Sequence, residues 1–150
     1  MRGLYFEEFE VGMHFEHALT RTVTEWDNIQ FSTMTLNPQP LHIDAHFAAK
    51  TEFGRPLVNS LFTLGLMIGI SVAETTLRTT IANLGMKDVQ FPAPVFHGDT
   101  LRVTTDVTSL RESKSRPEAG IVEFVHHAWN QDGVEVARCT RSAFMHRKPA

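Results

Sequence analysis

The side chain best suited to chemistry in this chain is that of His42. It closes a proline-braced loop, Thr35-Leu-Asn-Pro-Gln-Pro-Leu-His42, with Asp44 two residues on. Imidazole titrates near neutrality, so it can take a proton from water and return it. Downstream, Val58-Asn59-Ser60-Leu61 opens the most apolar segment of the sequence. At a helix N-terminus the backbone N–H groups of Ser60 and Leu61 can hold a developing oxyanion. A base and an oxyanion site together are the minimum equipment for chemistry beside a carbonyl. A lone histidine is more often structural, and spacing by itself leaves both readings open.

These groups need elements to hold them. Thr24-Glu25-Trp26-Asp27 is a helix start, a threonine cap with acids in the first turn, and Ile29, Phe31 and Met34 continue it as a short amphipathic helix. Pro38 and Pro40 exclude helix over 37–41 and favour extended backbone at Asn37 and Gln39. A helical turn or two from Asp44 closes near Gly54. The segment 58–73, capped by Asn59 or Ser60, is apolar nearly all round and predicts a buried central helix, whose Gly65 and Gly69 stripe can lie close to a sheet. Before it, residues 14–23 predict one strand. After it come short strands at 80–84 and 87–91, a turn at His97-Gly98-Asp99, and long alternating strands from Leu101, Val122 and Val134. One buried helix followed by an antiparallel meander is an α+β fold, with the sheet wrapped round the helix.

The bounds are simple. At 150 residues the chain reads as a single domain over 1–150, and a net charge of −3 gives no broad attraction for nucleic acid or membrane. Cys139 is the single cysteine, so there is no internal disulfide. The early acids do not suit a signal peptide, and the apolar run is too short to span a bilayer. These features predict a soluble, cytoplasmic protein. His126 and His127 are adjacent on a strand and point to opposite faces, and no other grouping has metal-ligand spacing. Trp26 and Trp129 read as core or interface residues.

Pro40-Leu41-His42-Ile43-Asp44, Phe53-Gly54, the Leu-Val-Asn-Ser-Leu helix mouth and Phe91-Pro-Ala-Pro-Val-Phe-His-Gly-Asp-Thr-Leu-Arg-Val103 together resemble the MaoC-like dehydratases, relatives of the R-specific enoyl-CoA hydratases. The resemblance covers nearly the whole chain. It implies a hot-dog fold, usually dimeric, so a homodimer or higher homo-oligomer is expected, and an acyl-CoA thioester as substrate with no further cofactor. The family motif reads Gly-Asp-x-Asn-Pro-Leu-His-x-Asp, with Asp and His as acid–base pair. Without gaps, His42 falls on the catalytic His, Asn37 on the catalytic Asp and Gln39 on the motif Asn. The acid is therefore missing. An amide can orient water but cannot pass it a proton, so His42 acts alone, or with Asp44, or Asn37 contacts substrate. The backbone N–H of Ser60 is the expected oxyanion donor. Gln39, Arg55 and Asn59 are candidate substrate contacts, Arg55 for an acyl carboxylate. Lys114 and Arg116 are candidates for CoA phosphates, against plain solvation of a charged hairpin. The Asn-x-Gln-Pro-Leu-His-x-Asp form resembles a subgroup linked to branched dicarboxylyl thioesters such as mesaconyl-CoA. The rival readings are an acyl-CoA thioesterase and a non-catalytic acyl-CoA binder or partner subunit.

Overall fold

Three long hairpin-connected strands dominate the C-terminal half because their sequences alternate and their turns carry polar residues and glycine. In the computed structural model, which describes residues 1–149, they are β4 (Thr100–Glu112), β5 (Ala119–Trp129) and β6 (Glu135–His146). They follow β1 (His14–Glu16), β2 (Arg21–Thr22), α1 (Glu25–Met34), α2 (Pro40–Ile43), α3 (Ala45–Ala48), α4 (Ser60–Thr75) and β3 (Thr80–Gln90). The antiparallel sheet runs β1-β4-β5-β6-β3, and β2 also pairs with β4. β3 is an edge strand whose outer side has no partner among the described residues.

The α4 helix lies across β4, β5 and β6. Met67 and Ile70 on its inner side are packed among Val23, Val58, Leu101, Val103, Ala128, Val136 and Cys139, all buried. Beyond the helix the N-terminal segment completes the core. Phe9 meets Phe124 edge-on at 5.4 Å between ring centroids. Phe6 lies so close to Gly120 that a Cβ there would be 2.2 Å from its ring. That glycine is required for packing, not for its backbone angles.

A chain of polar groups crosses the buried inner face. Arg141 Nε–H donates to His126 Nε2 (3.1 Å), His126 Nδ1 lies 2.8 Å from Thr105 Oγ1, and Thr105 Oγ1 lies 2.8 Å from His17 Nε2. The Nδ1 of His17 meets the Glu74 carboxylate. Each of these contacts has one donor and one acceptor if each proton points from Arg141 toward Glu74, while Arg141 Nη2 is buried with no partner among the described residues. His126 is buried on this face and His127 looks to the other, as adjacent strand residues must.

Several expectations need correction. The strand expected over 14–23 is two short strands with a break at 17–20. The two short strands expected at 80–91 are one, β3, kept continuous by register shifts at Thr80/Ala82, Asn83/Gly85 and Lys87/Gln90. Helix is not excluded over 37–41. Pro40 starts α2, because a proline at the first helical position loses no intrahelical bond. The central helix is not buried on every side. Leu61, Gly65 and Gly69 form an exposed stripe, and a Cβ on either glycine would meet nothing within 4 Å. The small stripe therefore faces away from the sheet. Trp26 is 67% exposed and Met34 70%, so the apolar residues of α1 do not make its buried face. Asn28 and Ser32, both fully buried, do.

Candidate active site

The site is assembled where α1, the His42 loop and the mouth of α4 converge on the short segment Leu57–Asn59. Thr24 caps α1 and Asp27 closes the capping box, while Arg21 pairs with Asp27 at 2.8 Å. That ion pair holds the Asp27 carboxyl well below the usual range. The helix ends at Thr35, Leu36 takes positive φ (58°), and the chain turns back toward His42. The loop is fastened to the segment by Leu57 N–H donating to Leu41 O (3.1 Å).

His42 is half-buried. Its Nδ1 lies 2.7 Å from Leu57 O, which places the proton on Nδ1 and leaves Nε2 as a lone pair with no partner among the described residues. Asn59, itself buried, caps α4 by accepting the Leu61 N–H at 3.1 Å. This removes one of the two expected oxyanion donors, because the cap occupies Leu61. Ser60 N–H has no acceptor among the described residues, and Ser60 lines a cleft of about 230 Å³. That cleft is lined mainly by apolar groups, among them Phe53, Leu57, Phe91, Pro94 and Val136, with Ser60 and Thr63 supplying hydroxyls.

The other expected residues are placed unequally. Asn37 lies in a second cleft with Thr33, Leu36, Pro38 and Ile43, where its Oδ1 accepts the Gln39 N–H at 3.0 Å. His42 itself lines neither cleft; it is bonded to the Leu57 carbonyl of the first and precedes Ile43 of the second in sequence. Gln39 is exposed and precedes α2 without capping it through its side chain. The Asp44 carboxylate accepts the Phe47 N–H (2.9 Å) and caps α3, so its local work is structural. Arg55 stacks its guanidinium 3.8 Å from the centre of the Phe96 ring and has no carboxylate partner among the described residues. Phe96 in turn lies 6.4 Å from Phe53 of the cleft.

Lys114 and Arg116 are not brought to the site of their own chain. Their hairpin joins the far ends of β4 and β5, and 13 residues of β4 put about 40 Å of strand between it and the site end of the sheet. Arg116 is paired with Glu118 at 2.6 Å and lies over Phe144.

Sequence reasoning missed Asn28 and His97. The Asn28 side chain touches the His42 carbonyl, the Leu57 carbonyl, His97 Nε2 and the Asn59 N–H, each within 3.0 Å. The available signal was the pair Asn28 and Ser32, four apart on one helix face.

Comparison with known proteins gives the family and the fold. The chain is 32% identical over 140 residues to the β-methylmalyl-CoA dehydratase of Chloroflexus aurantiacus, covering 91% of this chain and 39% of that protein. It is 34% identical to the 3-hydroxybutyryl-CoA dehydratase of Methylorubrum extorquens, covering 77% and 71%. It is 28% identical to the mesaconyl-CoA hydratase of Cereibacter sphaeroides, covering 97% and 42%. The chain thus spans about two fifths of the first and third of these relatives. Among solved structures, the monoamine oxidase regulatory protein from Archaeoglobus fulgius superposes with a TM-score of 0.87 at 33% identity, over 99% of this chain and 98% of that one. A double hot-dog protein from Mycobacterium tuberculosis superposes at 0.88 with 24% identity, over 98% of this chain and 45% of the other, which identifies the fold as a hot-dog. The MaoC like domain profile matches residues 7–130, a span that holds the His42 loop, the α4 mouth and most of the sheet, and the chain belongs to that family.

Proposed function

We propose that this protein is a hydro-lyase that adds water reversibly to a trans-2-enoyl-CoA, or removes it from the 3-hydroxyacyl-CoA. One observation carries the reading: a single short segment holds both chemical groups. The Leu57 carbonyl fixes the His42 tautomer, and Asn59, two residues on, caps α4 and leaves Ser60 N–H open. In the hydration direction His42 Nε2 takes a proton from water as the oxygen bonds to C3. The C2=C3 electrons move toward the thioester, whose oxygen is held by Ser60 N–H. The proton on His42 then passes to C2, so the elements of water are added across the double bond. Asn37 orients water or acyl group, and Asp44 supports the loop as the α3 cap. Gln39, exposed ahead of α2, is a substrate contact. Asn59, buried with its amide engaged by Leu61 N–H and Ser32 Oγ, is instead the α4 cap and not the substrate contact expected of it. Relatives named as dehydratases and hydratases of CoA thioesters support this class.

The acyl group is read as short and branched, with mesaconyl-CoA as the leading candidate. The apolar cleft suits the branch, and the Arg55 guanidinium, stacked on Phe96 and without a carboxylate partner among the described residues, is a cation for a terminal carboxylate. No cofactor beyond the thioester itself enters the reaction. A second copy of the chain is the expected partner, since β3 leaves a long edge bare and Phe91, at its end, lines the cleft. A lone buried thiol accords with a cytoplasmic setting.

The test is a panel of enoyl-CoA thioesters that includes mesaconyl-CoA, followed by loss of conjugated absorbance. Native protein hydrates at least one member, and His42→Ala lowers kcat by roughly 10²–10⁴-fold while retaining the fold. A His42→Ala protein with native activity overturns the reading. Release of free thiol without hydration would instead indicate a thioesterase, against which stands a cleft lining that contains no carboxylate. Tight binding with no turnover across the panel would indicate a binding subunit.

A further inference from the structure

We propose that Asn28 is the positioning residue that sets both the His42 base and the α4 oxyanion donor. The proposal rests on the hydratase reading for its kinetic part only. Asn28 is on α1, fully buried, and touches neither cleft. Its Oδ1 accepts the Asn59 N–H at 2.9 Å, which fixes the amide orientation without appeal to any other contact. Its Nδ2 then faces three acceptors, each at 3.0 Å: His42 O, Leu57 O and His97 Nε2.

Each contact has a consequence at the site. Leu57 O is the same carbonyl that receives the His42 Nδ1–H, so Asn28 holds the acceptor that selects the His42 tautomer. The bond to His42 O holds the backbone that carries the ring. The bond from Asn59 N–H orients the residue that caps α4, and Ser60 is the next residue. Asn59 Nδ2 also reaches Ser32 Oγ at 3.3 Å, one turn along α1 from Asn28. Two amide protons face three acceptors and are shared among them, so removing the amide leaves buried acceptors less satisfied. The titratable groups facing the amide are His97, directly, and His42, through the shared carbonyl.

The substitution Asn28→Asp separates this role from bulk stability. It keeps size and the acceptor for Asn59 N–H, but at neutral pH it turns a carboxylate toward two carbonyl oxygens and His97 Nε2. When that buried carboxyl is protonated, its O–H restores one donation. The expected result is a kcat lower by roughly 100-fold near pH 8 with KM within about twofold of native. Activity relative to the native protein at the same pH should recover as the pH falls, giving an ionisation in the kcat ratio that the native profile lacks. A residue that only stabilised the fold would change the melting temperature without adding that ionisation.

A second measurement is independent of turnover. Nitrogen NMR of the His42 imidazole should show the Nδ1–H tautomer alone in the native protein, and both tautomers in Asn28→Asp at pH 8 and in the milder Asn28→Ser. A single Nδ1–H tautomer in both variants overturns the proposal, whatever the protein catalyses. A native protein inactive on every thioester, with the tautomer still shifted in the variants, overturns the hydratase reading and upholds Asn28 as the residue that positions His42.

Discussion

At Ser60 the group that matters is the backbone N–H, so truncating its side chain does not test it. Proline does. Ser60 is the first residue of α4, where proline is tolerated, and Asn59 already has the extended backbone that a following proline demands (φ −56°, ψ 122°). Ser60→Pro deletes the donor and keeps the helix. Steady-state hydration should show kcat lower by about 10²–10³-fold, with circular dichroism unchanged, while Ser60→Ala, which keeps the N–H, falls far less. Equal losses in the two variants would remove the backbone from the mechanism. Asn37 gives the complementary experiment. An aspartate there keeps the turn that accepts Gln39 N–H and adds an acid beside the loop. A rise in kcat on simple enoyl-CoAs for Asn37→Asp is expected if the water lies within reach of that side chain. No change would place the water at the Ser60 cleft alone. At this scale His42 was legible because prolines and a helix mouth surround it. Its orienting group is a main-chain carbonyl at Leu57, fifteen residues away, and main-chain carbonyls carry no sequence signature.

Among the elements, strand pairing decides what a histidine can do. His126 sits opposite Thr105 on β4 and Cys139 on β6, sealed between sheet and helix. Burial first, then the Arg141 charge, push its pKa well below the ordinary 6.5, and Arg141 already occupies Nε2. The groups around it are Arg141, Thr105 and, through Thr105, His17 paired with Glu74. Above pH 6.5 folded and unfolded chains both hold a neutral His126, and it contributes no pH dependence. Below 6.5 the unfolded chain binds a proton that the folded one refuses. Stability then falls by up to about 1.4 kcal/mol per pH unit for this group, until the folded pKa is reached. Urea unfolding between pH 7.5 and 5 should show that decline, and His126→Gln should flatten it. An unchanged slope in the variant would mean the decline comes from other groups. The elements themselves were mostly legible. Alternation revealed β4, β5 and β6, and the Thr24 cap marked the start of α1. The amphipathic pattern of α1 misled, because its buried face is polar: Asn28 and Ser32 turn inward to serve the site, while Trp26 and Met34 face out.

At the scale of the whole molecule, two surfaces remain that a lone chain does not satisfy. The outer edge of β3 is 11 residues long and unpaired among the described residues, with Leu84, Met86 and Val89 exposed along it. The outer stripe of α4, Leu61, Gly65 and Gly69, lies open. A bare apolar edge of that length invites aggregation unless another strand covers it. Two of the curated relatives are more than twice as long as their matched portions, and this chain matches less than half of a double hot-dog protein. A second copy, pairing β3 against β3 about a twofold axis, would supply here what a second domain can supply there. Helical periodicity showed α4 to be apolar all round, but it could not separate a face covered by the chain's own sheet from one awaiting a neighbour. Sedimentation should therefore find the native protein as a dimer or larger. The double substitution Leu84→Lys and Met86→Lys sets like charges facing across the twofold and should shift it toward monomer. Trp26→Ala, which alters exposed apolar surface on α1 instead, should not. Hydration should fall with the dimer, because Phe91, one residue beyond β3, lines the Ser60 cleft and depends on that edge for its place. A native protein that sediments as monomer at micromolar concentration, with full activity, would show that one chain builds the whole site.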